Sequence, residues 1–241
     1  MLAKQITFPY PRNGCCAINI DFQGTEYIIE WNGNWREIPD LTTFPLVENA
    51  TITLVPHTSS VDEIWTNSSV LNFGGDSHLR SLHSCPDEFS VCKVAINDRQ
   101  RTLIRDEFLI LQQLQSQDAP VVRTYRKPLI DEHGIFGFRM EKLEFVDVKD
   151  ASKHILPLTE SVDAIHRAGV VHHDLSPNNI MLNQQGLIRI IDFGRAGYAG
   201  TKIPKNKLIG RELATTFSVD SDLVTLKETI GIQILTKIIA Y

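Results

Sequence analysis

Residues 172–194 read HHDLSPNNIMLNQQGLIRIIDFG, and the reading of this stretch decides the fold. Two apolar runs, Ile180-Met181-Leu182 and Leu187-Ile188-Arg189-Ile190-Ile191, flank the polar turn Asn183-Gln184-Gln185-Gly186. Apolar runs around a Gly-ended turn predict a small β-hairpin. That hairpin holds Asp174 and Asn179 on one side and Asp192 on the other, all facing a common point. Two carboxylates and an amide converging there suit a hard, oxygen-loving cation such as Mg²⁺, bridged to phosphate.

The same stretch resembles the protein-kinase signature, a catalytic loop H-x-D-x-x-x-x-N followed by D-F-G. His172, Asp174, Asn179, Asp192, Phe193 and Gly194 all match it. Surface acids placed by chance on a hairpin would not be expected to match six positions in order. The resemblance implies an α+β, two-lobed protein-kinase-like fold with ATP and Mg²⁺ as cofactors. It covers about residues 70–230, most closely at 172–194. We expect a β-rich N-terminal extension over residues 1–65, a small lobe over 66–142 and a truncated large lobe over 143–241.

Upstream of the signature, Phe89–Ile96 predicts a strand, and Lys93 interrupts its apolar run. A helix is predicted over Arg101–Gln115, with Leu103, Ile110, Leu111 and Leu114 in one stripe. Glu107 falls within that stripe. A buried carboxylate needs a partner, and Lys93 is the candidate. By resemblance the two form the kinase Lys–Glu pair, with Lys93 on the α- and β-phosphates; Asp106 is read as a solvent-facing acid. Val121–Tyr125 and Ile135–Met140 predict two more strands around Asp131-Glu132-His133-Gly134. The second runs into Met140-Glu141-Lys142-Leu143, similar to the kinase hinge, where the backbone at Glu141 and Leu143 would meet the adenine edge. Gly74 and Gly75 stand where kinases place a glycine-rich loop over the phosphates, although the spacing departs from that motif and the pair alone reads equally as a turn.

Downstream, a helix over Leu158–Ala168 ends at Gly169, a natural C-terminal cap. His154, His166, His172 and His173 cluster in sequence, but the resemblance makes His172 an architectural support of the loop rather than a zinc ligand. Arg195–Gly210 is rich in Gly and Lys and reads as a mobile segment or a solvated basic loop. Asp222 opens a helix and resembles the large-lobe aspartate that binds the catalytic-loop backbone. In the implied chemistry Asp192 and Asn179 hold Mg²⁺, and Asp174 orients the acceptor hydroxyl and takes its proton.

Four departures from the family pattern bear on the substrate. His173 replaces an arginine, and Ser176 stands where serine/threonine kinases usually carry a lysine. No Ala-Pro-Glu motif follows the Asp-Phe-Gly turn, and the chain stops soon after Asp222. The reading that results is an atypical serine/threonine protein kinase. Its alternatives are a small-molecule kinase of the aminoglycoside or choline kinase type and a catalytically weak pseudokinase scaffold. The acceptor is accordingly a protein or a small-molecule hydroxyl, with a protein partner conceivable on the shortened large lobe or the N-terminal extension.

Composition sets the outer bounds. The chain has 241 residues, 42% hydrophobic and 22% charged, and a formal charge of −5. That sign argues against a nucleic-acid or membrane-surface role. No apolar run approaches the ~20 residues of a membrane span. The N-terminus lacks the apolar core of a signal peptide, and Cys15, Cys16, Cys85 and Cys92 fit neither a disulfide framework nor a zinc site. The expected location is cytoplasmic, with reduced thiols. In the first segment, Cys16–Phe22 and Thr25–Trp31 predict a hairpin about Gln23-Gly24, followed by a strand over Ala50–Val55. Trp31 and Trp35 read as packing and turn residues.

Overall fold

The computed structural model describes residues 3–5, 7–23, 25–73, 76–146, 153–208 and 215–228. Gly24, Gly74, Gly75 and the end of the basic segment at 209–210 lie outside the described residues. The chain begins with a five-stranded antiparallel sheet of β1 (Lys4–Gln5), β2 (Tyr10–Arg12), β3 (Cys15–Phe22), β4 (Thr25–Trp31) and β5 (Ala50–Leu54). β3 and β4 pair from Cys16↔Trp31 to Phe22↔Thr25, so the hairpin expected about residue 23 forms there. Ile18, Ile20, Ile29 and Trp31 bury on one face with Phe44 and Val47, as period-two alternation requires. Trp35 is exposed, with Arg36 against its ring.

Next come α1 (Ser59–Thr66) and a second antiparallel sheet with α2 (Asp98–Ser116) on it. Its strands are β6 (Ser68–Phe73), β7 (His78–Leu82), β8 (Val91–Val94), β9 (Leu129–Asp131) and β10 (Gly134–Met140), in the order β6-β7-β8-β10-β9. Thr58 caps α1, and Val61 and Trp65 pack α1 against Cys92, Val94 and Phe136 of this sheet. Asn97 caps α2, whose stripe of Leu103, Ile104, Phe108, Ile110, Leu111 and Leu114 is buried.

One expected strand is not regular. Residues 121–125 make isolated bridges, Val121↔Ile190 and Thr124↔Met140, and the edge strand of the sheet is β9 instead. Side chains have taken the amides a ladder would use: Arg123 N–H donates to Glu141 and Thr124 N–H to Gln115. Local apolar pattern cannot foresee that competition.

The remaining elements are β11 (Glu144–Phe145), α3 (Ile155–Arg167), β12 (Val170–Val171), β13 (Ile180–Leu182), β14 (Ile188–Ile190), β15 (Gly197–Tyr198) and α4 (219–228). β13 and β14 are the expected hairpin, in register Ile180↔Ile190 to Leu182↔Ile188. Asn183 Oδ1 accepts from the amides of Gln185 and Leu187, and Gly186 takes φ +73° to close the turn. Gly169 ends α3 with φ +77°. One core cluster runs from Val91, Ile104 and Phe108 through Ile190 and Phe193 to Leu158, Ile165 and Leu226. Segment 195–208 is not a loose basic loop. β15 pairs with β12, and Lys207 is buried, its Nζ donating to Ala196 O and lying 3.1 Å from Asp106. Asp106 is therefore half-buried and paired rather than free in solvent.

Candidate active site

The loop carrying Asp174 is fixed from behind by Asp222, which is 1% exposed near the start of α4. Its carboxylate accepts the amides of His172 (2.7 Å) and His173 (2.8 Å), and His166 Nε2 lies 3.0 Å away. These bonds hold His173 at φ +66°, a conformation a non-glycine residue rarely adopts unaided. Burial acts to raise the pKa of Asp222, and the hydrogen bonds from His166 and the loop amides outweigh it, so the group sits below the usual carboxylate range. His172 Nε2 is 2.8 Å from Ile191 O and its Nδ1 accepts from Asp174 N–H at 3.3 Å, which assigns the proton to Nε2. The ring also packs on Phe193, centroids 4.7 Å apart. His172 thus ties the 174 loop to the 192–194 turn, the supporting role expected of it.

Asn179 sits in a short 3₁₀ turn over Pro177–Asn179. Its Nδ2 donates to Asp174 O (2.8 Å), so the side-chain oxygen is not used in that bond, and its own carbonyl accepts Ile191 N–H. Asp192 takes φ +65°. Its carboxylate, 40% exposed, meets Lys93 Nζ at 2.7 Å.

Lys93 is the centre of the arrangement. It is inward on β8 and 5% exposed, and its Nζ lies 2.7 Å from Glu107 Oε2 as well as 2.7 Å from Asp192 Oδ1. Glu107 Oε1 also accepts Phe193 N–H at 3.1 Å, so α2, β8 and the 192–194 turn meet at one carboxylate. Burial pushes the Lys93 ammonium down, and the carboxylates of Asp192 and Glu107 together raise it above an ordinary lysine. Burial pushes Glu107 up to about 7, against the pull of Lys93. Lys93 holds Asp192 below its usual value, while burial and the Asp192 charge push Asp174 above its own.

The residues expected at the adenine edge are placed differently from one another. Met140 ends β10 and is 8% exposed. Glu141 is buried, its N–H donating to Arg123 O (3.0 Å) and its carboxylate accepting from Arg123. Leu143 is partly buried against the main core. Of the glycine pair nothing is described, but Asp76 beside it lies 2.7 Å from Arg99 and 2.8 Å from Arg195. Sequence reasoning overlooked Arg195. Its position directly after Asp192-Phe193-Gly194 was the available signal.

Oxygen donors on Asp192 and Asn179, one of them in a partly open carboxylate, are the donor set that Mg²⁺ prefers. Among the described residues no helix is long and apolar enough to cross a membrane.

Comparison with known proteins agrees with this geometry. The family described as Protein kinase domain matches residues 91–213, half of the chain, and the chain belongs to that family. Similar curated proteins include the hormonally up-regulated neu tumor-associated kinase of Mus musculus, 42% identical over 55 residues, which is 23% of this chain and 8% of that protein. A probable serine/threonine-protein kinase PknB of Bifidobacterium longum is 38% identical over 48 residues, 20% of this chain and 7% of its own. Cyclin-dependent kinase F-1 of Arabidopsis thaliana is 32% identical over 91 residues, 36% of this chain and 16% of its own. The chain therefore spans 16% or less of the length of these relatives.

Proposed function

We propose that the protein transfers a phosphoryl group from ATP, with Mg²⁺, to a hydroxyl group, acting as an atypical serine/threonine protein kinase. The observation that carries this reading is the three-way contact of Lys93 with Glu107 and Asp192, because a buried lysine between two carboxylates on three different elements has no packing reason to exist. Kinase-named relatives that match part of the chain support the same class. In this reading residues 66–142 and 143–241 are the two lobes, with 1–65 an additional β-rich unit; α1 at their junction packs on the first lobe.

Phosphoryl transfer asks the protein for positioning and charge neutralisation more than for covalent chemistry. Lys93, held by Glu107, binds the α- and β-phosphates. Asp192 and Asn179 are the residues that would hold Mg²⁺, which when bound neutralises phosphate charge. Asp174 accepts the proton of the acceptor hydroxyl as the new O–P bond forms and the bond to the ADP oxygen breaks. Its raised affinity for protons suits that role. Backbone groups at Glu141 and Leu143 would meet the adenine edge, and Gly74 and Gly75 would lie over the phosphates.

Melting temperatures with ATP alone, Mg²⁺ alone and both test the reading on wild type and Asp192→Ala, since a ligand that binds only the folded state raises the melting temperature. A shift that needs both ligands and disappears in Asp192→Ala supports it. No shift at millimolar ATP sinks it and leaves a binding scaffold.

A further inference from the structure

Arg195 joins parts of the molecule that the transfer reaction must bring together. Its Nη2 is 2.8 Å from Asp76 Oδ2, its Nε is 3.9 Å from Asp174 Oδ2, and its Nη1 donates to the carbonyls of Lys207 (3.4 Å) and Leu208 (3.0 Å). The Arg195 side chain is 18% exposed, so it is held rather than free in solvent. Asp76 comes from the segment between β6 and β7, and its other oxygen lies 2.7 Å from Arg99 on α2. One carboxylate from the second sheet is thus gripped by two guanidiniums beside Asp174.

That arrangement is an anion site filled by the protein itself. A guanidinium presents the same planar fork to a carboxylate as to a phosphate, so the Asp76 carboxylate occupies a place a phosphate oxygen could take. The loop from Leu175 to Asn179 carries no lysine or arginine, and among the described residues Asp174 has no other Lys or Arg partner. A phosphoryl group arriving beside Asp174 and Asp192 would meet two carboxylates. Lys93 already faces Asp192, and Arg195 is the cation beside Asp174.

We propose that Arg195 anchors the terminal phosphate of the nucleotide, and that Asp76 occupies this anion site until the nucleotide displaces it. The inference rests on the phosphotransferase reading and adds a residue and a gate to it. Because ADP lacks the terminal phosphate, the ratio of ATP to ADP affinity reports the contact separately from any general effect on folding.

Calorimetric titration of the full chain with ATP and with ADP, in Mg²⁺, tests the proposal on wild type, Asp76→Asn, Arg195→Lys and Arg195→Met. Arg195→Met should weaken ATP about tenfold, the size of a lost charge-assisted hydrogen bond, with ADP unchanged within about twofold. Arg195→Lys should fall between. Asp76→Asn should tighten ATP about fivefold and leave ADP alone, because the competing anion is gone. If both nucleotides change alike, or neither changes, Arg195 only pins segment 195–208 and the proposal fails while the phosphotransferase reading stands. If wild type binds neither nucleotide, both fall. Should Arg195→Met not fold, Asp76→Asn decides alone by the same ratio.

Discussion

Two of the ion-pair clusters on helix α2, at Arg101 and at Glu107, are built on opposite principles. At its N-terminal end Arg101 grips Asp131 through both guanidinium nitrogens (2.9 and 2.7 Å), while Thr58 Oγ1 and His133 N–H fill the remaining acceptor positions. Charge balances, the Asp131 side chain is fully buried, and its acceptor sites are occupied. At Glu107 one ammonium stands between two carboxylates, Asp174 adds a third nearby, and Asp192 remains 40% exposed. The first cluster is saturated and closes the fold. The second holds more carboxylates than ammonium groups and leaves Asp192 partly exposed; in the proposed reading a bound cation completes it. Charge surplus at a partly open site, rather than burial of charge as such, separates a functional cluster from a structural one.

The comparison can be broken most sharply at Asp174. We expect Asp174→Asn to lower phosphoryl transfer about 1,000-fold, the scale of a lost general base. Its melting temperature should stay unchanged or rise, because burial and the Asp192 charge already disfavour the ionised form. A large stability loss would place Asp174 with the structural cluster instead.

Asp131→Ala should do the reverse. It leaves the partly buried Arg101 without its carboxylate and should cost about 3 kcal/mol in urea unfolding, while the melting shift caused by ATP and Mg²⁺ persists. Thr58→Val removes one donor to Asp131 and the cap of α1, and should cost about 1 kcal/mol. Thr58 and Asp131 sit 73 positions apart in the chain, so a double-mutant cycle between them would show their coupling directly.

Acid should move the two clusters in opposite directions. Burial tends to raise Asp131, but hydrogen bonds from Arg101, Thr58 and His133 bring it from 3.8 to about 2. A depressed folded pKa stabilises fully above the unfolded value and is lost as pH falls through the folded one. The stability gap between wild type and Asp131→Asn should therefore hold above pH 3.8 and close towards pH 2. Glu107 is raised to about 7 from 4.5. Its contribution is full below pH 4.5 and lost as pH climbs through 7, so wild type should gain on Glu107→Gln as pH falls across that window. Gaps in urea midpoints that both shrink or both widen as pH falls from 7 to 2 would undo the contrast.

Much of the site was legible because its parts are local. The hairpin of residues 180–190 follows from two apolar runs and a turn, and it alone brings Asn179 and Asp192 near each other. Glu107 gave itself away as an acid in an apolar stripe, and that anomaly named Lys93 as its partner. The role of Asp222 came from its resemblance to the large-lobe aspartate, since a helix start by itself indicates only an N-terminal acid. Segment 121–125 is not a regular strand because Gln115 and Glu141 take its amides, and the basic segment 195–208 is not loose because the partner of Lys207, Asp106, is distant in sequence.

The sequence by itself determined the periodic elements, the identity of the six signature residues and the need for a partner at Glu107, because each depends on neighbours a few positions away. Tertiary structure alone decided that Asp192 shares Lys93 with Glu107, that Phe193 N–H closes on the same carboxylate, and that Asp76 crosses to Arg195. Charges find partners through space, and the strength of each contact is set by distance and burial that no local pattern encodes.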